Sequence, residues 1–235
     1  MINNKTIEIC IGNIQDIKTL NQYPIDRIEL NSALELGGLT PSINTLIEAR
    51  KNTKIKIVCM VRCRGGNFSY SDEEYDTMFK DAELLLKNGA DGIVFGFLNN
   101  DLTFNEKQMI RFTNLAKKYN KEAICHKAFD VMKTDMNKDV EKLIEFGIDR
   151  VLTSGRAVYP NIIEGAKIIG KLNAQYGDKI QFLPGGGIRI DNIKDVYTIC
   201  NTNQAHMTSK MNCDGDYICL DENQLKQLLE KIKEL

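Results

Sequence analysis

Short runs of Ile, Val, Leu and Phe alternate along this chain with longer stretches whose apolar residues recur every third or fourth position. The short runs begin near Thr6, Asp26, Ile55, Asp91, Glu122, Asp149, Lys179 and Asn203 and read as strands. The longer stretches read as amphipathic helices. The clearest predicted helix covers 71–88, with Tyr75, Met78, Ala82 and Leu85 on one stripe and Asn88-Gly89 as its stop. Segments 105–119, 136–146 and 159–175 repeat the pattern, and 221–235 reads as a closing C-terminal helix.

A strand that returns parallel to its predecessor needs a crossover, so strict alternation of the two patterns implies an α/β protein with a parallel sheet. A closed barrel and an open doubly wound sheet both satisfy it. The strand count, about eight, favours the barrel. So does the first strand's exit, Ile11-Gly12-Asn13-Ile14, which carries no Gly-x-Gly-x-x-Gly. No linker or composition break divides the chain. The expectation is a single (β/α)8 barrel of the TIM type over 1–235, with parallel strands and a C-terminal helix.

Within each strand the faces alternate. Ile7, Ile9 and Ile11 oppose Glu8 and Cys10; Ile28 and Leu30 oppose Glu29 and Asn31; Ile57, Cys59 and Val61 oppose Met60 and Arg62; Ala205 and Met207 oppose Gln204, His206 and Thr208. The apolar phase is expected against the outer helices and the polar phase inside the barrel. A carboxylate inside is costly unless paired, so Glu8 and Glu29 need partners, with Arg62, Arg64 and the histidines available. A buried ion-pair network that only fixes the fold explains Glu8 alone equally well. Polar residues at the ends of several strands point further, to the mouth where barrel enzymes carry their chemistry. Arg62 and Arg64, His126-Lys127-Ala128-Phe129-Asp130, Thr153-Ser154 and Gly185-Gly186-Gly187 fall there. The triple glycine reads equally as a tight turn or as an anion site near a helix N-terminus.

Composition narrows the setting. Acidic and basic residues nearly cancel, 32 against 31, which argues against nucleic acid or an anionic membrane as partner. No run approaches the ~18–20 apolar residues of a membrane span, and the start, Met1-Ile2-Asn3-Asn4-Lys5, lacks a signal-peptide core. The 7 cysteines are odd in number and sit mostly inside apolar runs, so reduced thiols in a cytoplasmic protein are expected. Cys213 and Cys219 flank a predicted surface turn at Asp214-Gly215-Asp216.

The motifs, in order, resemble the CutC family of copper homeostasis. They are Glu8-Ile9-Cys10, Arg27-Ile28-Glu29-Leu30, Gly37-Gly38-Leu39-Thr40-Pro41-Ser42, Arg64-Gly65-Gly66, Tyr70-Ser71-Asp72-Glu73-Glu74, Gly89-Ala90-Asp91-Gly92, Val94-Phe95-Gly96, His126, Ala128-Phe129-Asp130, Arg150-Val151-Leu152-Thr153-Ser154-Gly155 and Pro184-Gly185-Gly186-Gly187. The resemblance implies a (β/α)8 barrel and a role in copper homeostasis, with Cu(I) as a candidate ligand. Against the family pattern, Asn31 replaces a Cys, Cys63 replaces a Pro, and Lys127 replaces an Arg.

Three readings stay open. In the first, the protein binds Cu(I), with Cys10 and His126 as candidate ligands; each cysteine reads first as a small buried apolar residue, and Cys10, on the face of Glu8, is the best exception. In the second, it is an enzyme acting on a small anionic or phosphorylated metabolite. Glu8, Glu29, His126, Asp130 and His206 are then its acid–base candidates. Arg62, Arg64, Thr153, Ser154 and Gly185 to Gly187 hold the substrate. Lys127 is a further candidate to hold the anion; a Schiff-base role for it is disfavoured, because the family pattern has Arg there and strand phase tends to turn it outward. In the third, it is an interaction protein with a vestigial site. A homodimer is compatible with all three.

Overall fold

In the computed structural model, which describes residues 1–157, 161–213 and 217–235, eight parallel strands form one sheet in the order β7-β6-β5-β4-β3-β2-β1-β8. The strands are β1 (Thr6–Ile11), β2 (Arg27–Leu30), β3 (Lys56–Met60), β4 (Gly92–Phe95), β5 (Glu122–Cys125), β6 (Arg150–Thr153), β7 (Gln181–Pro184) and β8 (Gln204–Met207). A parallel bridge between Gly185 and His206 joins the two ends of this order and closes the barrel. Between the strands run α1 (Asp16–Leu20), α2 (Ile43–Asn52), α3 (Asp72–Lys87), α4 (Glu106–Lys118), α5 (Ala128–Val131), α6 (Met136–Glu145), α7 (Ile162–Tyr176) and α8 (Ile193–Cys200). A hairpin of β9 (Lys210–Asn212) and β10 (Ile218–Leu220) leads into α9 (Glu222–Lys233), the expected closing helix.

Helix boundaries follow local chemistry. The α3 helix opens on a capping box in which Ser71 and Glu74 each satisfy the other's backbone N–H. It stops where Gly89 takes φ +102°. The expected start of the next-to-last long helix at Tyr159, and the turn at Asp214 to Asp216, lie outside the described residues.

The strand phase is as expected. Ile7, Ile9, Ile11, Ile28, Leu30, Ile57, Cys59, Val61, Ala205 and Met207 join the main core between sheet and helices. The interior of the barrel is divided. Val58, Met60, Val94 and Ile124, from β3, β4 and β5, form a separate small apolar cluster. The side made by β1, β2 and β8 carries Glu8, Arg27, Glu29, Gln204 and His206, all buried.

One expectation is corrected. Cys213 and Cys219 are joined in a disulfide, with Cα atoms 6.0 Å apart, while Cys10, Cys59, Cys63, Cys125 and Cys200 are free thiols. Cys213 directly follows β9, and Cys219 stands on β10 opposite Met211; this diagonal placement across a short hairpin brings the two sulfurs into bonding reach, which a scan for apolar surroundings does not detect. The hairpin is anchored by Asn13 Nδ2 donating to the Ile218 carbonyl at 3.0 Å and by the Leu220 N–H donating to Asp16 at 3.1 Å. No helix among the described residues is long and apolar enough to cross a membrane.

Candidate functional site

Register brings the polar strand residues together. Glu8 stands opposite Arg27 on β2 and opposite His206 on β8. Its carboxylate pairs with the Arg27 guanidinium through one oxygen and with His206 Nδ1 at 2.6 Å through the other. Arg27 also donates to Gln204 at 2.9 Å, and Gln204 donates to Gln181 at 3.2 Å, which in turn accepts from Arg150. Arg150 is paired with Glu122. A hydrogen-bonded layer therefore runs across the barrel beneath His206.

Above it is a cavity of about 370 Å³ whose wall includes Cys10, Glu29, Arg62, His126, Lys127, Gly186, Gly187 and His206. Glu29, Arg62, His126 and His206, drawn from four distant stretches of sequence, thus meet at one mouth. Glu29 Oε2 accepts from Asn31 Nδ2 at 2.9 Å and lies 4.0 Å from His206 Nε2. Glu29 Oε1 is buried and has no hydrogen-bond partner among the described residues; the same holds for Arg62 Nε and His126 Nε2. Three unsatisfied polar atoms around one cavity are unusual in a folded interior, where such groups are paired.

The two histidines differ. His126 Nδ1 accepts from the Ala128 N–H at 3.1 Å, which leaves the proton on Nε2 and presents a donor to the cavity. Burial, then the nearby Arg62 guanidinium, push its pKa down to about 3. For His206 burial also acts downward, but the Glu29 and Glu8 carboxylates outweigh it and hold its pKa above the ordinary value. Glu8 is held well below the usual carboxylate range: burial alone raises it, and Arg27 and His206 more than reverse that. The Cys10 thiol is pushed well up, by burial and by Glu29.

Several expected site residues serve the frame around the cavity. Glu8 lies under His206 and not on the cavity wall. Asp130 accepts from Thr153 Oγ1, Ser154 N–H, Ser154 Oγ and Arg156 N–H, which fastens α5 to the loop after β6. Thr153 and Ser154 are thereby engaged, and with Gly185 they stand off the wall. Arg64 is paired with Glu74 at 2.5 Å, and Arg62 donates to the Leu36, Gly38 and Gly66 carbonyls. Neither arginine is the partner of Glu8 or Glu29. That role for Glu8 falls to Arg27, which shares a face with Glu29 two residues on and was legible from strand phase.

Lys127, a candidate anion partner whose strand phase pointed outward, lines the cavity. Strand β5 ends at Cys125 and α5 begins at Ala128, so strand alternation does not extend to it. Its ammonium lies against Gly186, where a Cβ would fall 2.5 Å from Nζ, and it makes no hydrogen bond or ion pair among the described residues. Gly186 takes φ +92°, a conformation that favours glycine, and a side chain there would displace the Lys127 ammonium. The N–H groups of Gly186 and Gly187 donate to no described residue. Lys210, on β9, adds a second ammonium to the wall and had no sequence signal.

Cys10, Glu29 and His206 are the group among the described residues whose ligand atoms all lie within 4.8 Å of one another. His126, expected beside Cys10, is not in it. One thiol, one imidazole and one carboxylate suit a borderline divalent ion better than Cu(I), which favours sulfur. Asn31, whose Nδ2 lies 3.3 Å from Cys10 Sγ, stands where a second thiol would be needed.

The CutC family model matches residues 5–211. A CutC family protein of Treponema denticola is 41% identical over 88% of this chain and 82% of its own length. A protein of Drosophila melanogaster named as a copper homeostasis protein cutC homolog is 36% identical over 90% of this chain and 80% of its own. The crystal structure of CutC from Streptococcus agalactiae superposes with a TM-score of 0.80 at 30% identity, covering 88% of this chain and 98% of that one.

Proposed function

This chain belongs to the CutC family, and from that premise we propose that its barrel mouth binds and chemically transforms a small anionic metabolite. The observation that carries the proposal is the set of unpartnered polar groups on one cavity: Glu29 Oε1, Arg62 Nε, His126 Nε2 and the Lys127 ammonium. Buried donors and acceptors left without partners are destabilising, and a ligand that completes them recovers that cost. The cations and the open Gly186 and Gly187 N–H groups suit a phosphate or carboxylate. Glu29 and His206 supply acid–base capacity beside it.

The test is binding of inorganic phosphate, followed by calorimetry. Lys127→Met is the informative variant, because the Lys127 ammonium has no hydrogen-bond or ion-pair partner to lose among the described residues. Its removal is expected to weaken phosphate at least about tenfold, the loss of one charge-assisted hydrogen bond. No saturable binding by the wild type, or equal binding by the variant, overturns the reading.

The second reading is Cu(I) binding, favoured by the close approach of Cys10 to His206 and Glu29. The donor set is poor for a soft ion, and a thiol whose pKa is raised resists becoming the thiolate that copper needs. Titration of Cu(I) against a competing chelator decides it: a copper carrier holds the ion far tighter than micromolar and loses it on Cys10→Ser.

A further inference from the structure

Within the reading that the mouth takes a small anionic metabolite, we infer the class of substrate and step: a phosphorylated α-hydroxycarbonyl compound that undergoes proton transfer between adjacent carbons. The inference rests on how two side chains are held. Glu8 fixes His206 through Nδ1 at 2.6 Å, so Nε2 is turned to the cavity, where it makes no hydrogen bond among the described residues. Asn31 fixes Glu29 through Oε2 at 2.9 Å, so Oε1 is left without a partner. The two groups are neighbours on the cavity wall, with His206 Nε2 4.0 Å from the tethered oxygen, Oε2, of the Glu29 carboxylate. An imidazole and a carboxylate side by side, each tethered through its other atom, match the two sites of an enolisation: the α-carbon proton and the carbonyl oxygen.

The step balances with these groups alone. Glu29 Oε1 takes the proton from the α-carbon. The C–H electron pair becomes the new C=C bond, and the carbonyl π pair moves onto oxygen, which takes a proton from His206 Nε2. The product is an enediol. In the second half, Glu29 returns its proton to the former carbonyl carbon, and His206 recovers one from the neighbouring hydroxyl as that oxygen becomes the carbonyl. No oxidant or co-reactant is consumed. His126 Nε2–H and Arg62 Nε add donors for the charge that builds on oxygen. Lys127, lying over Gly186, gives the phosphate its cation at the loop after β7. Such a loop is where barrels commonly bind phosphate, and a cavity of about 370 Å³ admits a small sugar phosphate.

The experiment incubates the protein in D2O, with chelator present, with dihydroxyacetone phosphate and, separately, ribulose 5-phosphate. Loss of the α-carbon proton signal is followed by NMR. The expected result is exchange above buffer with at least one probe, falling about 100-fold or more in Glu29→Gln. Lys127→Met is expected to raise the half-saturating concentration more than it lowers the maximal rate. Circular dichroism checks that both variants keep their fold. If neither probe exchanges while inorganic phosphate still binds, proton transfer is overturned and the anion site stands. If phosphate does not bind either, the underlying reading has failed as well. Exchange that persists in Glu29→Gln, or that chelator abolishes, also overturns the assignment.

Discussion

His206 and His126 share one cavity, and their surroundings shift their pKa values in opposite directions. His206 has two carboxylates beside it and binds its proton more tightly folded than unfolded. Its stabilising contribution is therefore complete below about pH 6.5 and is lost as pH rises through the folded pKa. His126 has no carboxylate partner and an arginine nearby, with a folded pKa of about 3. As pH falls below about 6.5 the unfolded chain takes up this proton and the folded one does not, so stability falls from there towards pH 3. The sequence holds 2 histidines, so NMR of the imidazole carbons resolves each. One ring is expected to titrate above 6.5 and the other to stay unchanged down to about pH 5. Glu8→Gln is expected to lower the first midpoint. A wild-type His206 midpoint at or below 6.5 would contradict the carboxylate pairing.

At the scale of elements, the mouth depends on loops whose polar residues hold one another. Asp130 gathers four donors, one from the end of β6 and three from the loop after it, onto the single turn α5 that follows His126 and Lys127. Asp130→Asn weakens these charge-assisted bonds and is expected to cost about 2 kcal/mol, or roughly 4–8 °C in melting temperature for a chain of this size. If Asp130 frames the site without touching ligand, phosphate affinity in the folded variant stays within a few-fold of wild type. A loss of activity with no loss of stability would return it to the reacting groups. This element also marks the limit of what the sequence discloses. Strand phase turned Glu8, Glu29 and His206 inward, because a period of two has a fixed meaning within a strand. Beyond a strand's end the phase loses that meaning: Arg62 and Lys127 each stand two residues past their strands, and both line the cavity. Strand phase was silent on Lys210 and on the Cys213–Cys219 bond, which depend on how the β9–β10 hairpin folds back over the mouth. Asp130, Thr153 and Ser154 read as ligand-facing because a polar residue at a strand end looks the same whether it meets a ligand or another loop.

For the whole molecule, the barrel interior is a floor that must be closed before the mouth can be a site. One half of it is apolar, from Val58, Met60, Val94 and Ile124. The other half is the chain of contacts from Glu122 through Arg150, Gln181, Gln204 and Arg27 to Glu8 and His206. Gln204 also donates to the Phe182 carbonyl at 3.4 Å, so this polar chain helps tie β8 to β7 where the ladder between them is shortest. A buried ion pair adds little net stability over apolar residues of the same shape, yet removing one member strands the other. Arg27→Met, which leaves Glu8 with His206 alone, is therefore expected to cost about 3 kcal/mol, near the low end for a broken buried pair. In the double variant Glu8→Gln with Arg27→Met no uncompensated carboxylate remains. Its destabilisation is expected to fall short of the sum of the two single variants by about 1–3 kcal/mol, measured by urea unfolding at neutral pH. Additivity within about 0.3 kcal/mol would mean that the two side chains do not act as a pair. The same double variant removes the carboxylate that orients His206, so a barrel restored in stability but altered in His206 titration would separate the floor's role in folding from its role in setting the mouth.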